Sequence, residues 1–128
     1  MIGETIAAAL PLMRAHAASL RASVCSIDRQ DGTTWDEDDQ ASVPVWVSVA
    51  ADVPCHVEEQ TAATSPTLVT GEAATLEAPV VKVAHDVTGV EPDDRVTVVG
   101  GPVLWVTRAA PDDFTHPVEV LIQCRWVR

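Results

Sequence analysis

The sequence predicts a mainly β protein: a small antiparallel β-barrel or sandwich of roughly six or seven strands behind an N-terminal α-helix. Three observations carry that reading. Val43, Val45, Val47 and Val49 alternate strictly, with Trp46 and Ser48 on the other face, which is the period of a half-buried strand. Turn signals recur at short spacing after residue 30: Asp31-Gly32, Glu91-Pro92-Asp93-Asp94, Gly100-Gly101-Pro102 and Pro111-Asp112-Asp113. Near the start, Ile6, Leu10, Met13, Ala17 and Leu20 fall at steps of four and three residues, the stripe of a 3.6-residue repeat, in a stretch filled with alanine, the best helix former.

Taken in order, residues 3–21 read as the helix. Pro11 inside it removes one backbone donor and is expected to kink the helix or to start a second one. Arg14 and Arg21 are seven apart and share a face. Ala22–Arg29 is a strand candidate with Cys25 and Ile27 on one face. Gln30-Asp31-Gly32-Thr33 carries a tight-hairpin signal, with a short return strand at Thr33–Trp35. Asp36, Glu37, Asp38 and Asp39 repel one another and form an exposed loop. The valine strand follows. Val53, Cys55 and Val57 extend the alternation, and Pro54 within it demands an edge, a bend or a bulge.

From Glu58 to Ala78 the pattern dissolves into Thr, Ala, Ser, Glu and Pro, a long loop of the kind that is usually functional. Pro79–His85, Arg95–Val99, Val103–Arg108 and Val118–Arg128 complete the strands, the last of them expected to be the longest. The expected organisation is a helical extension over residues 1–21 and a β-domain over 22–128, with the loop at about 58–78.

Composition narrows the function classes. The 128 residues carry 19 Asp and Glu against 8 Lys and Arg, a net charge of −11. That argues against a general nucleic-acid binder, which needs clustered cations. No apolar run is long enough for a membrane span, and Met1–Leu20 lacks the basic start and greasy centre of a signal peptide. Tyr is absent, Phe occurs once and Trp four times, so the core is built from Val and Ala. Trp46, Trp105 and Trp126 are the expected large anchors of the core or of a subunit interface.

No catalytic constellation emerges. GxSxG, HExxH, GxxxxGK[ST] and GxGxxG are missing. The paired carboxylates Asp38/Asp39, Glu58/Glu59, Asp93/Asp94 and Asp112/Asp113 all fall in predicted turns beside water, whereas general acid–base work needs one carboxyl in a dry pocket. Cys25, Cys55 and Cys124 form no CxxC. They read as small buried apolar side chains, and a zinc set with His56 is disfavoured because Cys55 and His56 are adjacent and point to opposite faces of a strand. His16, His56, His85 and His116 have no metal-ligand spacing on one helical face. The expectation is no catalytic residue, no cofactor and no metal.

The order of these features resembles the head-closure proteins of long-tailed bacteriophages, also called head-to-tail stoppers or head–tail joining proteins. The likeness covers roughly residues 20–128. It is carried by VCSIDRQDGTTW (24–35), VPVWVSVAADVPCHV (43–57), VKVAHDVTGVEPDDRVTV (81–98), VLWVTR (103–108) and the closing strand. The Ala-rich helix and the Val/Ala/Asp-heavy composition look most like small neck proteins of phages that infect actinobacteria.

The resemblance implies a structural protein and not an enzyme. Such chains form a ring, commonly of about twelve subunits. The portal and its adaptor lie above, a tail terminator or tail tube below, and DNA runs through the channel without specific binding. The ring closes the filled head. The implied location is the virion, assembled in the host cytoplasm, with no membrane partner. In relatives a long loop after the second main strand reaches into the channel and gates the DNA. Residues 58–78 occupy the matching position, without the helix many relatives place there, which makes Glu58, Glu59, Thr64, Thr70 and Glu72 candidates for gating or partner contact.

The residues suit this role on physical grounds. An acidic wall lets DNA slide without holding phosphates. Ring subunits need sheet edges that pair with neighbours. A ring of twelve would carry about −130, which apolar contact and local ion pairs must offset. Arg14, Arg21, Arg95 and Arg108 are the scarce cations available for subunit contacts, with Asp36, Glu37, Asp38 and Asp39 as the acidic counterpart. The alternatives are another neck or tail-terminator ring, or a cellular β-barrel ligand-binding module with a concave apolar pocket.

Overall fold

The computed structural model describes residues 2–60, 68–69, 72–73 and 78–128. One helix, α1 (Ile2–Ser19), precedes eight strands: β1 (Ser23–Asp36), β2 (Ala41–Gln60), β3 (Leu68–Val69), β4 (Glu72–Ala73), β5 (Ala78–Ala84), β6 (Arg95–Val98), β7 (Val103–Pro111) and β8 (Glu119–Arg125). Six of them close into an antiparallel barrel in the order β1-β2-β5-β8-β7-β6, and β6 returns to β1 through Cys25↔Val98 to Asp28↔Arg95. The fold is the expected small β-barrel with an N-terminal helix.

The barrel is filled rather than hollow. Cys25, Ile27, Val53, Cys55, Val81, Val83, Val96, Val98, Leu104, Val106, Val120, Ile122 and Cys124 point inward and form one cluster. The alternation is visible strand by strand: in β6, Val96 and Val98 are buried while Arg95 and Thr97 are only partly so. A barrel this narrow leaves room only for side chains of this size, which explains the Val and Cys bias. Asp94 is the only buried charged residue among those described.

Two turns lie where the sequence puts them. Asp94 N–H donates to the Glu91 carbonyl (3.2 Å), and Gly101 N–H donates to the Val98 carbonyl (3.0 Å). α1 runs unbroken through Pro11 as a single helix. Its apolar stripe is mostly uncovered: Ala17 is buried, but Ile6, Met13 and Leu20 are exposed.

Several expectations need correction. Asp31-Gly32 makes no hairpin. β1 continues through it to Asp36, and the register shift between Gln30 and Thr33 marks a bulge with Gly32 at φ 77°. A positive-φ glycine serves a bulge as well as a two-residue turn, so the local signal is ambiguous. The true β1–β2 turn is Glu37–Gln40, inside the acidic stretch. The longest strand is β2, not the C-terminal one. β2 runs two residues past Glu58, and a short β3–β4 pairing (Leu68↔Ala73, Val69↔Glu72) interrupts the stretch read as structureless. Thr64 and Thr70 lie outside the described residues.

Candidate functional site: a β-ribbon arm and its base

β6 pairs with β1 only as far as Asp28, and β5 pairs with β2 only from Cys55 onward. Arg29–Asp36 and Ala41–Val47 are therefore bonded to each other alone, a two-stranded ribbon, and β2 keeps its second edge free as far as Pro54. The barrel proper is closed, and the ribbon carries the long free edges of the described structure. Pro44 and Pro54 fall on this free stretch of β2, where a missing donor does no harm. A bulge at Asp52, at φ 52°, precedes Pro54.

The two faces of the ribbon differ. One continues the barrel's inward face. Val49 still packs on the core, Val47 opposite Arg29 is 47% exposed, and Val45 and Val43 follow along the arm with no barrel beneath them. The other face carries Trp46 and, near the tip, Trp35, which is 60% exposed. The tip is the acidic turn, where Asp38 N–H donates to Asp36 Oδ1 (2.9 Å).

Two clusters hold the base of the arm. On the outer face, Trp46 and Trp105 have ring centroids 5.9 Å apart. The Arg95 guanidinium lies 3.8 Å from the Trp46 centroid and pairs with Asp28 (3.4 Å). Arg128 approaches both rings, 5.0 Å from Trp105 and 5.5 Å from Trp46, and donates to Gln30 Oε1 (2.6 Å). On the inner face, Arg29 grips Asp94 through two bonds of 2.9 Å, Nε to Oδ1 and Nη2 to Oδ2. Asp94 Oδ2 also accepts the Glu91 N–H (2.8 Å), and Arg29 Nη2 reaches the Gly89 carbonyl. Donating to the Asp94 carboxylate raises the Arg29 pKa above its ordinary value. This clamp fastens the β5–β6 connection to the ribbon.

The tryptophans expected in the core are not there. Trp46 and Trp105 are half-buried on the outside, and Trp126 is exposed. Strand alternation sends Trp46 and Trp105 out, and Trp126 lies past the end of β8.

The expected subunit contacts also change character. Arg14 Nε donates to the Pro117 carbonyl (3.0 Å), and the nearly buried Arg21 pairs with Glu119 (3.5 Å), so both fasten α1 to the β7–β8 connection and β8. Arg95 is consumed at Trp46 and Asp28. Lys82 pairs with Glu58 (2.7 Å), Arg125 with Asp93, Arg29 with Asp94 and Arg128 with Gln30. Of the eight Lys and Arg residues, Arg108 alone has no hydrogen-bond or ion-pair partner among the described residues, and it is exposed. Asp36, Glu37, Asp38 and Asp39 sit together at the arm tip without a cation. Of the loop candidates, Glu58 is tied to Lys82, Glu59 is the penultimate residue of β2, and Glu72 lies in β4.

Cys25, Cys55 and Cys124 are buried in one core cluster, while His56 faces outward, so the residues weighed as a zinc set are divided between two faces. Among the described residues no three His, Cys, Asp or Glu side chains are grouped to hold a metal. Burial raises all three thiol pKa values, Cys124 to about 12. Between α1 and the β7–β8 connection lies an apolar groove of about 630 Å³, floored by Met13, Ala17 and Val118. Among the described residues no helix is long and apolar enough to cross a membrane.

Sequence reasoning missed the ribbon and the Arg29–Asp94 clamp. The signal for the ribbon was present in the unbroken strand propensity on both sides of Asp31-Gly32. The clamp joins residues 65 apart and has no local signature.

No curated protein and no solved structure matches the chain. A family model does match, over residues 13–113, which takes in the C-terminal part of α1 and everything through β7, including both strands of the arm, the Arg29–Asp94 clamp and all of the outer cluster but Arg128. On that span, most of its length, the chain belongs to a family of unknown function, DUF6093.

Proposed function

We propose that this chain is the ring-forming subunit of a bacteriophage neck, a head-closure or head-to-tail stopper protein that joins the portal and adaptor to the tail and helps retain packaged DNA. The observation that carries the proposal is the division of labour in the fold. The barrel is closed and its interior is filled with apolar side chains, while its appendages present apolar and acidic surface that is exposed or partly exposed. These are the ribbon arm, with free edges and a valine face, and α1, with Ile6, Met13 and Leu20 exposed. Such surface suits a subunit completed by the other proteins of a larger assembly.

Charge supports the same reading. With seven of the eight cations engaged inside the chain, the outward field is acidic, and DNA passing through a ring of such subunits meets repulsion rather than grip. The work is structural, with copies of the same chain, an adaptor ring and a tail ring as partners in the virion.

The test is to mix purified protein with portal–adaptor complexes and image them by negative stain and cryo-electron microscopy. An added ring layer at the adaptor end is expected. A chain that stays monomeric and leaves the complexes unchanged overturns the proposal, and a layer found only on tails reassigns the chain to the tail-terminator position.

A further inference from the structure

Among the described residues the inward-type face of the ribbon is only partly covered. Val47 is nearly half exposed, and the partly exposed Val45 and Val43 continue it outward to the tip that holds Asp36, Glu37, Asp38 and Asp39. An apolar stripe that ends in four carboxylates selects an occupant that is apolar along its length and basic at one end. A second copy of this chain does not supply that chemistry. Seven of its eight cations are bound within the chain: Arg14 at Pro117, Arg21 at Glu119, Arg29 at Asp94, Lys82 at Glu58, Arg95 at Asp28, Arg125 at Asp93 and Arg128 at Gln30. Only Arg108 stands exposed without a partner among the described residues, one charge against four per arm.

The arm is also held in place before anything binds. Arg29–Asp94 fastens one face of its base and the Trp46–Trp105–Arg95–Arg128 cluster the other. Register shifts at three points along β1–β2 fix its pairing against slippage. A ribbon fixed at its root offers its face at low entropic cost.

We infer that the valine face and acidic tip of the β1–β2 ribbon form the docking surface for a different protein, one that presents an apolar strand or groove flanked by Lys or Arg. The arm is then a bridge to a heterologous partner, not a contact between like subunits. This reaches beyond the neck proposal and stands or falls without it.

Labelled peptides of about nine residues test the inference with the intact chain, read by fluorescence anisotropy. The probes are alternating Lys/Val, Glu/Val and Lys/Thr strands. Lys/Val is expected to bind at least about ten-fold more tightly than either other peptide, and to weaken about ten-fold between roughly 50 and 500 mM salt as the tip is screened. Neutralising the tip (Asp36→Asn, Glu37→Gln, Asp38→Asn, Asp39→Asn) is expected to abolish the preference for Lys over Glu. Val45→Thr with Val47→Thr is expected to abolish the preference for Val over Thr. All these positions are partly or fully exposed, and circular dichroism confirms that each variant keeps the fold. Equal binding of Lys/Val and Glu/Val, no binding, or preferences that survive both variants overturns the inference. So does sedimentation velocity showing that either variant loses self-association, since the occupant is then a second copy. None of these readouts needs a neck component, so failure to form a ring leaves them interpretable.

Discussion

Removing the Trp46 side chain tests whether the outer cluster anchors the arm. Trp46 is half-buried although it faces away from the core. Half-burial of an indole withdraws about 100 Å² from water, worth about 2.5 kcal/mol at roughly 25 cal/mol per Å². The Trp105 ring at 5.9 Å adds about 1 kcal/mol. The Arg95 guanidinium, 3.8 Å above the Trp46 centroid, adds about 1 kcal/mol more. Exposed neighbours relax into the gap and recover part of this, so Trp46→Ala is expected to cost about 3–4 kcal/mol. For 128 residues the unfolding entropy is about 0.27 kcal/mol per kelvin, so Tm falls by about 11–15 °C.

Trp46→Leu keeps most of the apolar contact, loses the ring interactions and is expected to cost about 2 kcal/mol. A double-mutant cycle of Trp46→Leu with Arg95→Met, read by urea unfolding and far-ultraviolet circular dichroism, isolates a coupling of about 1 kcal/mol. If Trp46→Ala changes stability by less than about 0.5 kcal/mol, or the coupling vanishes, the cluster does not anchor the ribbon and the reasoning fails.

Three more outcomes follow from the geometry. Asp94→Ala removes both Arg29 bonds and the acceptor for the Glu91 N–H, and should speed amide hydrogen exchange at Glu91 while leaving Val81 and Leu104 protected; unchanged exchange at Glu91 refutes the clamp. The three thiols, buried and with raised pKa values, should resist a disulfide reagent at pH 8 in the native protein and all react in urea; one thiol reacting at the unfolded rate would show that the barrel opens. The hydrogen bond from Lys82 lowers the Glu58 pKa below its ordinary 4.5, so the unfolded chain binds the proton more readily. Stability from this pair is then fully present above pH 4.5, falls as pH drops through the lowered value, and should lose that component in Glu58→Gln; identical acid profiles for the two proteins exclude it.

Much of the barrel was legible in the sequence because its strands are short, alternating and separated by residues that can only turn. Val96 and Val98 against Arg95 and Thr97, or Leu104 and Val106 against Trp105, assign their own faces. The ribbon was not legible because Asp-Gly fits a bulge and a hairpin equally well, and only pairing partners across the chain decide between them. The places of the tryptophans were misjudged because size suggests burial, whereas strand phase and strand ends decide it. The cations were misjudged for a related reason: the seven-residue spacing of Arg14 and Arg21 suggests a shared helical face, but α1 ends at Ser19, before Arg21, and what the two residues meet, Pro117 and Glu119, is about a hundred residues away.

The outward placement of every indole has a spectroscopic consequence. The chain has four Trp and no Tyr, so its near-ultraviolet emission comes from Trp35, Trp46, Trp105 and Trp126 alone, and none of these belongs to the core. Trp35 stands near the arm tip and Trp46 at its root. Emission from the unlabelled protein is therefore a poor gauge of whether the barrel is intact and a direct gauge of what touches its outside. A blue shift on mixing with another protein, with circular dichroism unchanged, would report water leaving the arm, and single Trp→Phe replacements at positions 35 and 46 would tell tip from root.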